Sequence, residues 1–514
     1  MQGWGSGYVT DVEYTDGFYS AQAPAHLALA ATLNGLEPPA LDESFTYCEL
    51  GCGRGQTSLV LAAVNPQAQF HAIDFHPAHI AVAADRARRA RLGNLSFHEC
   101  GFHELGGPRG AAFPMFDVVT LHGVWSWIAP ELQRAIVEFL NARLKPGGLV
   151  YVSYNALPAW NSVAPLQRVI KELTRLSAER SDRAVVRALE QVARLRAAKI
   201  LPEKLDGDLQ RIKDNADKML AYVAHEYLNE HWQPVYHADV VRAFAEAKLT
   251  YAAAANIIQN FYNLVVTEEQ HALLLELPSP ELRETLRDFC TDHRFREDVF
   301  VRGARRMSEA QRAQRLARQS LTLLRPAPDV IEIARPDGSK WRPDVSVYQP
   351  IVAALKAGPR EIRELLTMET VPEHHLVGPV ELVGVLAGTG LAGLYKQPTA
   401  EERAASERLN ALLDSEDEIS LVRGAAVAVP AVRSGLTLSP AHYALYADLR
   451  RGLTPDAEAL ADRFIQRCRE AGGHPVVDGK SYDDEGEARA AVVRDYEMKI
   501  EQLVPVWRML GIVT

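Results

Sequence analysis

Cysteine is scarce in this chain and odd in number: Cys48, Cys52, Cys100, Cys290 and Cys468 among 514 residues. A scattered odd set in a chain of this length fits a reducing compartment better than a disulfide framework. Cys48 and Cys52 flank a turn and have no second pair downstream, so no zinc site is expected there, and no metal elsewhere. Long apolar runs are missing too. The longest uncharged one, Leu382 to Tyr395, is shorter than the roughly 20 residues a membrane span needs and holds four glycines. Met1-Gln2-Gly3-Trp4-Gly5 offers no charged leader followed by an apolar run, so a cytoplasmic location without a membrane span is expected. Positive charge is not in excess: the formal net charge is −10 and no basic stripe appears, which argues against nucleic acid as a partner.

What the chain does have is a regular alternation of strand and helix signals from about Thr46, the pattern of a parallel sheet covered on both faces. Strands are expected at Thr46–Leu50, Gln69–Asp74, Leu95–Cys100, Phe116–His122 and Leu149–Tyr154. Helices are expected after the first strand to about Val64, and over Pro77–Leu92 and Pro130–Leu144. Sheets of this kind bind ligands at the carboxyl ends of their strands. There the first strand runs into Gly51-Cys52-Gly53-Arg54-Gly55, with Glu49 just before it. Gly51 and Gly53 let a nucleoside approach the backbone closely, and Asp74, at the tip of the second strand, can accept both hydroxyls of a ribose.

A glycine turn alone also fits dinucleotide binders. Two details separate them. The spacing Glu-x-Gly-x-Gly-x-Gly is one residue tighter at its end than Gly-x-Gly-x-x-Gly, and Lys145-Pro146-Gly147-Gly148 resembles the turn before strand five in class I methyltransferases. That resemblance implies a doubly wound, Rossmann-like α/β domain that binds S-adenosylmethionine and releases S-adenosylhomocysteine. The turn Gly51, Cys52 and Gly53, with Glu49, Asp74, Phe75, His122 and Gly123, would hold it. Many such enzymes carry an acid after the third strand for the adenine amine, and Glu99-Cys100-Gly101-Phe102 has no clear counterpart. Backbone groups around Gly101 and Phe102 are expected to hold the base instead, with the Phe102 ring packed on it or simply in the core.

Further segments resemble one bacterial family, methyltransferases with an appended regulatory region, which includes protein lysine methyltransferases that modify outer-membrane proteins. They are Gly7-Tyr8-Val9-Thr10-Asp11 with Tyr14 and Phe18-Tyr19, then His122-Gly123-Val124-Trp125-Ser126-Trp127 and Ser153-Tyr154-Asn155-Ala156-Leu157-Pro158-Ala159-Trp160. His225-Glu226-Tyr227-Leu228-Asn229 and Ala247-Lys248-Leu249-Thr250-Tyr251 continue the likeness, which thins beyond Gly303. It implies the fold and cofactor firmly and a lysine substrate loosely.

The expected organisation is a cofactor-binding core over 1–160 and a helical insertion or lid over 161–235. Residues 236–305, a helix followed by antiparallel strands at Lys248–Ala254 and Phe295–Val301, would close the catalytic sheet as the regulatory region. A mainly helical region follows over 325–514. The insertion could also be a separate helical domain. His225-Glu226 with His231 invites a zinc-protease reading, but positions six apart on a helix face different ways. The basic run Arg302–Arg318 reads as a solvated helix face, and Arg325-Pro326-Ala327-Pro328 as a domain boundary. Val347 to Tyr395 allows a winged-helix-like module. Acidic surroundings, including Asp414 to Glu418, favour a protein or homodimer contact there over DNA, and His374 and His375 read as loop residues.

Methyl transfer needs a nucleophile held near the methyl carbon and stripped of proton and water. For a lysine, neutralisation at pH 7 costs about 4–5 kcal/mol. Trp125, Trp127, Tyr154 and Trp160 cluster in sequence where the methyl group should point, although two of the four are expected in the core. Tyr154 and Asn155 can orient an amine, and His122 is the one candidate base. Tyr14 and Tyr19 are expected over the amino-acid end of the cofactor. Two substrates remain open: a lysine side chain of a protein, or a small molecule methylated on oxygen or nitrogen. A role as a cofactor sensor without turnover is a third reading.

Overall fold

Residues 7–12, 17–175, 177–335, 337–415, 425–477, 479–482 and 484–513 are described by a computed structural model, with backbone alone at 217–218. Its centre is a seven-stranded sheet. In chain order the strands are β1 (Thr46–Leu50), β2 (Gln69–Asp74), β3 (Leu95–Glu99), β4 (Phe116–Leu121), β5 (Leu144–Asn155), β6 (Leu249–Ala254) and β7 (Phe295–Arg302). They lie side by side as β3-β2-β1-β4-β5-β7-β6. β1 to β5 pair in parallel, and β7 runs antiparallel between β5 and β6. β1 is buried from Tyr47 to Leu50, as a central strand covered on both faces must be. The order reverses between β1 and β4, which opens a crevice at their carboxyl ends. β5 starts earlier than its sequence suggests. Lys145-Pro146-Gly147-Gly148 lies inside it, with Lys145 Nζ 2.7 Å from Asp117 Oδ2.

The helices are α1 (Pro24–Leu33), α2 (Gln56–Ala63), α3 (Pro77–Arg89), α4 (Pro108–Ala111), α5 (Pro130–Arg143), α6 (Ala164–Thr174), α7 (Ser181–Ala197), α8 (Asp206–Leu228) and α9 (His237–Ala245). Proline opens α3 and α5, where its missing N–H costs nothing and its fixed φ suits the first turn. α2 is apolar on every side and buried from Thr57 to Ala63. A helix of that composition must be covered all round. The sheet lies on one side of it. On the other lie the helix Ala400–Ser415 and the hairpin Ala425–Val429/Ser434–Leu438. The C-terminal region therefore shares one continuous apolar core with this face of the sheet. Arg433 adds a polar tie, bonding Asp42 Oδ1 at 2.8 Å and the Leu41 carbonyl.

α6, α7 and α8, in the span read from the sequence as an insertion, have an apolar core of their own that includes Trp160, Val163, Ile170, Val185, Leu189 and Tyr227. In the basic run, Glu309–Ala317 is a helix of which Leu316 alone is buried. The Pro-rich break at 325–328 does not open the next unit. The strand Ser320–Leu323 ahead of it already pairs with Arg360–Glu361 and Ala392–Tyr395. Helices Val345–Ala357, Ile362–Leu366 and Pro379–Gly388 lie between Ser320–Leu323 and Ala392–Tyr395, in the span read from the sequence as a winged-helix-like module. Its last helix cannot enter a nucleic-acid groove, because Leu382 to Leu386 are buried. A Cβ on Gly384 would meet the Phe261 ring at 2.2 Å. Gly384→Ala should cost about 1–3 kcal/mol through overpacking, read as a lower calorimetric melting temperature; an unchanged melt would show that this contact is not held in solution. Of the acidic cluster, Asp414 binds Tyr443 Oη at 2.6 Å and Arg450 Nη1 at 2.7 Å, while 416–418 lie outside the described residues. His375 Nε2 bonds the Leu366 carbonyl at 2.9 Å, within a loop.

Candidate active site

β1 ends in the turn Gly51-Cys52-Gly53, and both Gly51 and Cys52 donate their N–H to the Ile73 carbonyl of β2, at 2.8 and 3.0 Å. Gly51 has φ +77°, and a Cβ there would come within 2.6 Å of Val124 Cγ2, so backbone and neighbour both demand glycine. Gly53 has φ +54°, but its Cβ position meets nothing within 4 Å. That open space is the close approach a nucleoside needs.

Asp74, at the end of β2, accepts from Gly53 N–H through Oδ2 and from His76 N–H through Oδ1, each at 2.9 Å. Its side chain is 8% exposed, and His79 Nδ1 lies 3.7 Å from Oδ1. Each oxygen is fixed by one donor and keeps acceptor capacity for another, as vicinal ribose hydroxyls require. Gly51, Gly53, Asp74, Phe75, Gly101, Phe102, His122 and Gly123 line one cleft, together with Tyr8, His79, His103, Val124, Trp127, Ile128 and Leu132. These residues fit S-adenosylmethionine: an open glycine approach, a fixed carboxylate and aromatic walls.

The remaining expected contacts divide. Glu49 is buried beneath the turn, bonded to Ser58 Oγ and to Gln22 Nε2 at 3.4 Å, and burial pushes its carboxyl up to about 7. The Cys52 thiol turns to the Gly53 carbonyl at 3.6 Å. Tyr19 stacks on His122, with centroids 3.6 Å apart. Tyr14 lies outside the described residues. Gly101 N–H is taken by Glu104 Oε1 at 2.8 Å, so it is not free to bind a base. The Phe102 and His103 rings remain as the packing surface there.

The aromatic cluster read from the sequence divides. Trp125 points into the core, edge-on to Phe244 at 5.0 Å, away from the cleft. Tyr154 is also buried, with its hydroxyl 2.5 Å from Asp298 Oδ2 and 3.2 Å from His237 Nδ1. Trp160 belongs to the core of the insertion, and Trp127 lines the cleft. Asn155 Nδ2 donates to Glu226 Oε1 at 2.7 Å. His122 Nδ1 lies 2.7 Å from Tyr151 Oη, and that hydroxyl donates to Glu297 Oε1 at 2.7 Å, so Nδ1 carries the proton and Nε2 is the acceptor. Burial holds the imidazole down to about 3, which makes His122 a neutral hydrogen-bonding group and a weak base.

Sequence reasoning missed Tyr151, Glu226 and Glu297. Period-two alternation from Ser153 would have placed Tyr151 on the same face of β5; nothing local marked Glu297. Among the described residues no group of three or more His, Cys, Asp or Glu is arranged to hold a metal, and no helix is long and apolar enough to cross a membrane.

A methyltransferase-domain family model matches residues 41–237, and one described as "Predicted methyltransferase regulatory domain" matches 220–302. An uncharacterized protein of Synechocystis sp. is 34% identical over 407 residues, 79% of this chain and 79% of its own. An uncharacterized protein of Rickettsia prowazekii is 27% identical over 316 residues, 58% of this chain and 54% of its own. In fold, the chain is similar to PKMT2 from Rickettsia typhi in complex with AdoHcy, with a TM-score of 0.65 at 17% identity over 97% of this chain and 99% of that one. The chain belongs to the class I S-adenosylmethionine-dependent methyltransferases that carry a methyltransferase regulatory domain.

Proposed function

We propose that this enzyme N-methylates lysine side chains of a protein. The observation that carries the reading is the cleft wall: Tyr8, Phe75, Phe102 and Trp127 line it, Asp74 is its one acid, and no lysine or arginine stands in it among the described residues. Aromatic faces without a fixed cation attract an ammonium, by about 0.5–2 kcal/mol each, and give an anionic substrate no partner. The resemblance to protein lysine methyltransferases, and a fold shared with PKMT2 over 97% of this chain, support the same choice.

S-adenosylmethionine, when bound, supplies an electrophilic methyl group. The chain's own residues would do the rest. Asp74 accepts the ribose hydroxyls, and the turn Gly51–Gly53 lets the backbone approach. Phe102 and His103 pack on the base, and Tyr19 with His122 shapes the methyl end. The dry aromatic wall lowers the pKa of an entering amine and so the cost of deprotonating it. The insertion over 161–235 is read as a lid: His225 Nε2 binds the Val12 carbonyl at 2.9 Å, and Glu226 binds Asn155 of β5.

The test incubates the protein with methyl-labelled S-adenosylmethionine and a lysate of the source cells, then separates macromolecules from small molecules. Label on a protein band, recovered as methyl-lysine and absent with Asp74→Ala, is the expected result. Label confined to small molecules would replace this reading with metabolite methylation.

A further inference from the structure

Resting on the amine reading above, we infer that Glu226 is the receptor for the substrate amine, holding the incoming ammonium and taking its proton. Glu226 lies near the C-terminus of α8, on the underside of the insertion, and is 3% exposed. Its Oε1 accepts from Asn155 Nδ2 at 2.7 Å and from Trp232 Nε1 at 2.9 Å. Every one of these donors is neutral. Among the described residues no lysine, arginine or histidine pairs with it, whereas the buried carboxylates Glu284 and Asp298 each have an arginine. A buried anion without a counter-ion is costly unless it takes up a proton, the direction in which burial drives Glu49, or meets a cation brought by a ligand. The missing positive charge is the one a lysine brings.

The position suits that partner. Trp127 lines the cofactor cleft, and its neighbour Ser126 accepts through Oγ, at 3.0 Å, from the N–H of the Asn155 that binds Glu226. Tyr8, another cleft residue, packs on His225, next to Glu226 in the chain, with ring centroids 5.3 Å apart. An alkyl chain passing between Tyr8 and Trp127 would bring its terminal nitrogen to this carboxyl. There one N–H bond breaks and one O–H bond forms, so ammonium and carboxylate become amine and carboxylic acid with no net change in charge. The amine keeps the lone pair that attacks. Burial favours that direction, because the neutral pair replaces two charges in an apolar site. It also pushes the Glu226 carboxyl up to about 7, in the range where a base works best near neutral pH, while His122 is held far below it.

A purely structural role, pinning the insertion to β5, predicts different behaviour, and n-butylammonium distinguishes the two. With AdoHcy-loaded protein, ligand-observed NMR should detect n-butylammonium bound by the wild type. Glu226→Gln keeps the shape and the Asn155 contact, and should weaken that binding by at least about tenfold, the loss of a charge-assisted bond. n-Butanol should bind neither protein better than the other. AdoHcy affinity should change less than about threefold, which checks the fold, since Glu226 makes no contact with the ribose clamp. In the lysate assay kcat should fall with KM raised. Equal n-butylammonium binding by both proteins overturns the inference, even if protein lysines are labelled. Wild-type label on small molecules alone, with n-butylammonium still bound and lost in Glu226→Gln, overturns the protein reading and leaves the amine receptor standing.

Discussion

Asp74→Ala should lower the affinity for S-adenosylhomocysteine by at least about 100-fold, because hydrogen bonds to a charged group contribute about 1.5–3 kcal/mol each and two ribose hydroxyls lose theirs together. The carboxylate is more than an acceptor. It also pins the turn, taking Gly53 N–H on one oxygen and His76 N–H on the other, each at 2.9 Å. Alanine frees both ends of that clamp, so the open approach at Gly53 loses its fixed position as well. Gly53 lines the cleft and His76 is half-buried, so water can reach the released N–H groups and the fold should survive. Isothermal titration of AdoHcy, with a thermal melt of the unliganded protein, separates the effects. Asp74→Asn, which still accepts through one oxygen, should retain part of the affinity. A loss below about fivefold in Asp74→Ala would remove this residue from the cofactor site, since one neutral hydrogen bond alone is worth about that much.

The same residues show how far a sequence can be read. The turn, Asp74 and the strand–helix rhythm are local: glycine spacing, an acid at a strand tip and proline at a helix start each carry their own physical reason. So the five parallel strands and the crevice at their carboxyl ends were legible, and so was Asp74's place in it. The aromatic cluster was not. Trp125-Ser126-Trp127 forms a 3-10 turn, in which consecutive side chains point about 120° apart, and no local rule says which tryptophan takes the core. Trp125 does, against Phe244, and Trp127 meets the cleft. Alternation along β5 likewise sends Tyr151 toward His122 and Tyr154 toward His237. That assignment is visible only once β7 and α9 are in place. Glu49 met a third difficulty: its side chain was free to face the ligand or the interior, and Ser58 and Gln22, neither conspicuous in sequence, drew it inward. The core shared between α2 and the C-terminal region rests on contacts more than 300 residues apart in sequence, such as Val60 against Gly435, which no window of sequence contains.

Arg296→Met should be strongly destabilising, costing about 3–5 kcal/mol, because it removes one partner of a buried charge network and leaves the others. Arg296 is 1% exposed on β7. Its guanidinium reaches Asp298 at 3.0 Å, Asp288 at 2.8 Å and Glu284 at 2.6 Å, and the last two lie on the helix Pro280–Thr291. Arg287 also binds Glu284, at 2.9 Å, while His237 of α9 and Tyr154 of β5 close on Asp298. Three carboxyls thus share two arginines, and the cluster ties the regulatory region to the strand that carries Asn155. Burial alone would raise the Glu284 carboxyl, but Arg287 and Arg296 outweigh it and hold it at about 2. Burial likewise opposes ionisation of Asp298, and Arg296 with His237 holds it below the usual range. Asp288 is left poorly compensated, and burial pushes it up to about 6. The sign follows. Glu284 and Asp298, depressed on folding, contribute stability that is present above their unfolded values near 4 and lost as the pH falls through their folded ones. Without Arg296, burial is opposed by His237 and Tyr154 at Asp298 and by Arg287 at Asp288, and both carboxyls should take up protons at higher pH than in the wild type. The deficit of Arg296→Met should therefore be large at about pH 8 and at least halved at about pH 5, where protonation removes the uncompensated charge. Arg296→Lys should recover only part of the loss, since one ammonium cannot fork to three carboxyls. Denaturant melts of the three proteins at both pH values decide it. An equal deficit at each would assign the loss to packing around the missing guanidinium and leave the charge network without a part in stability.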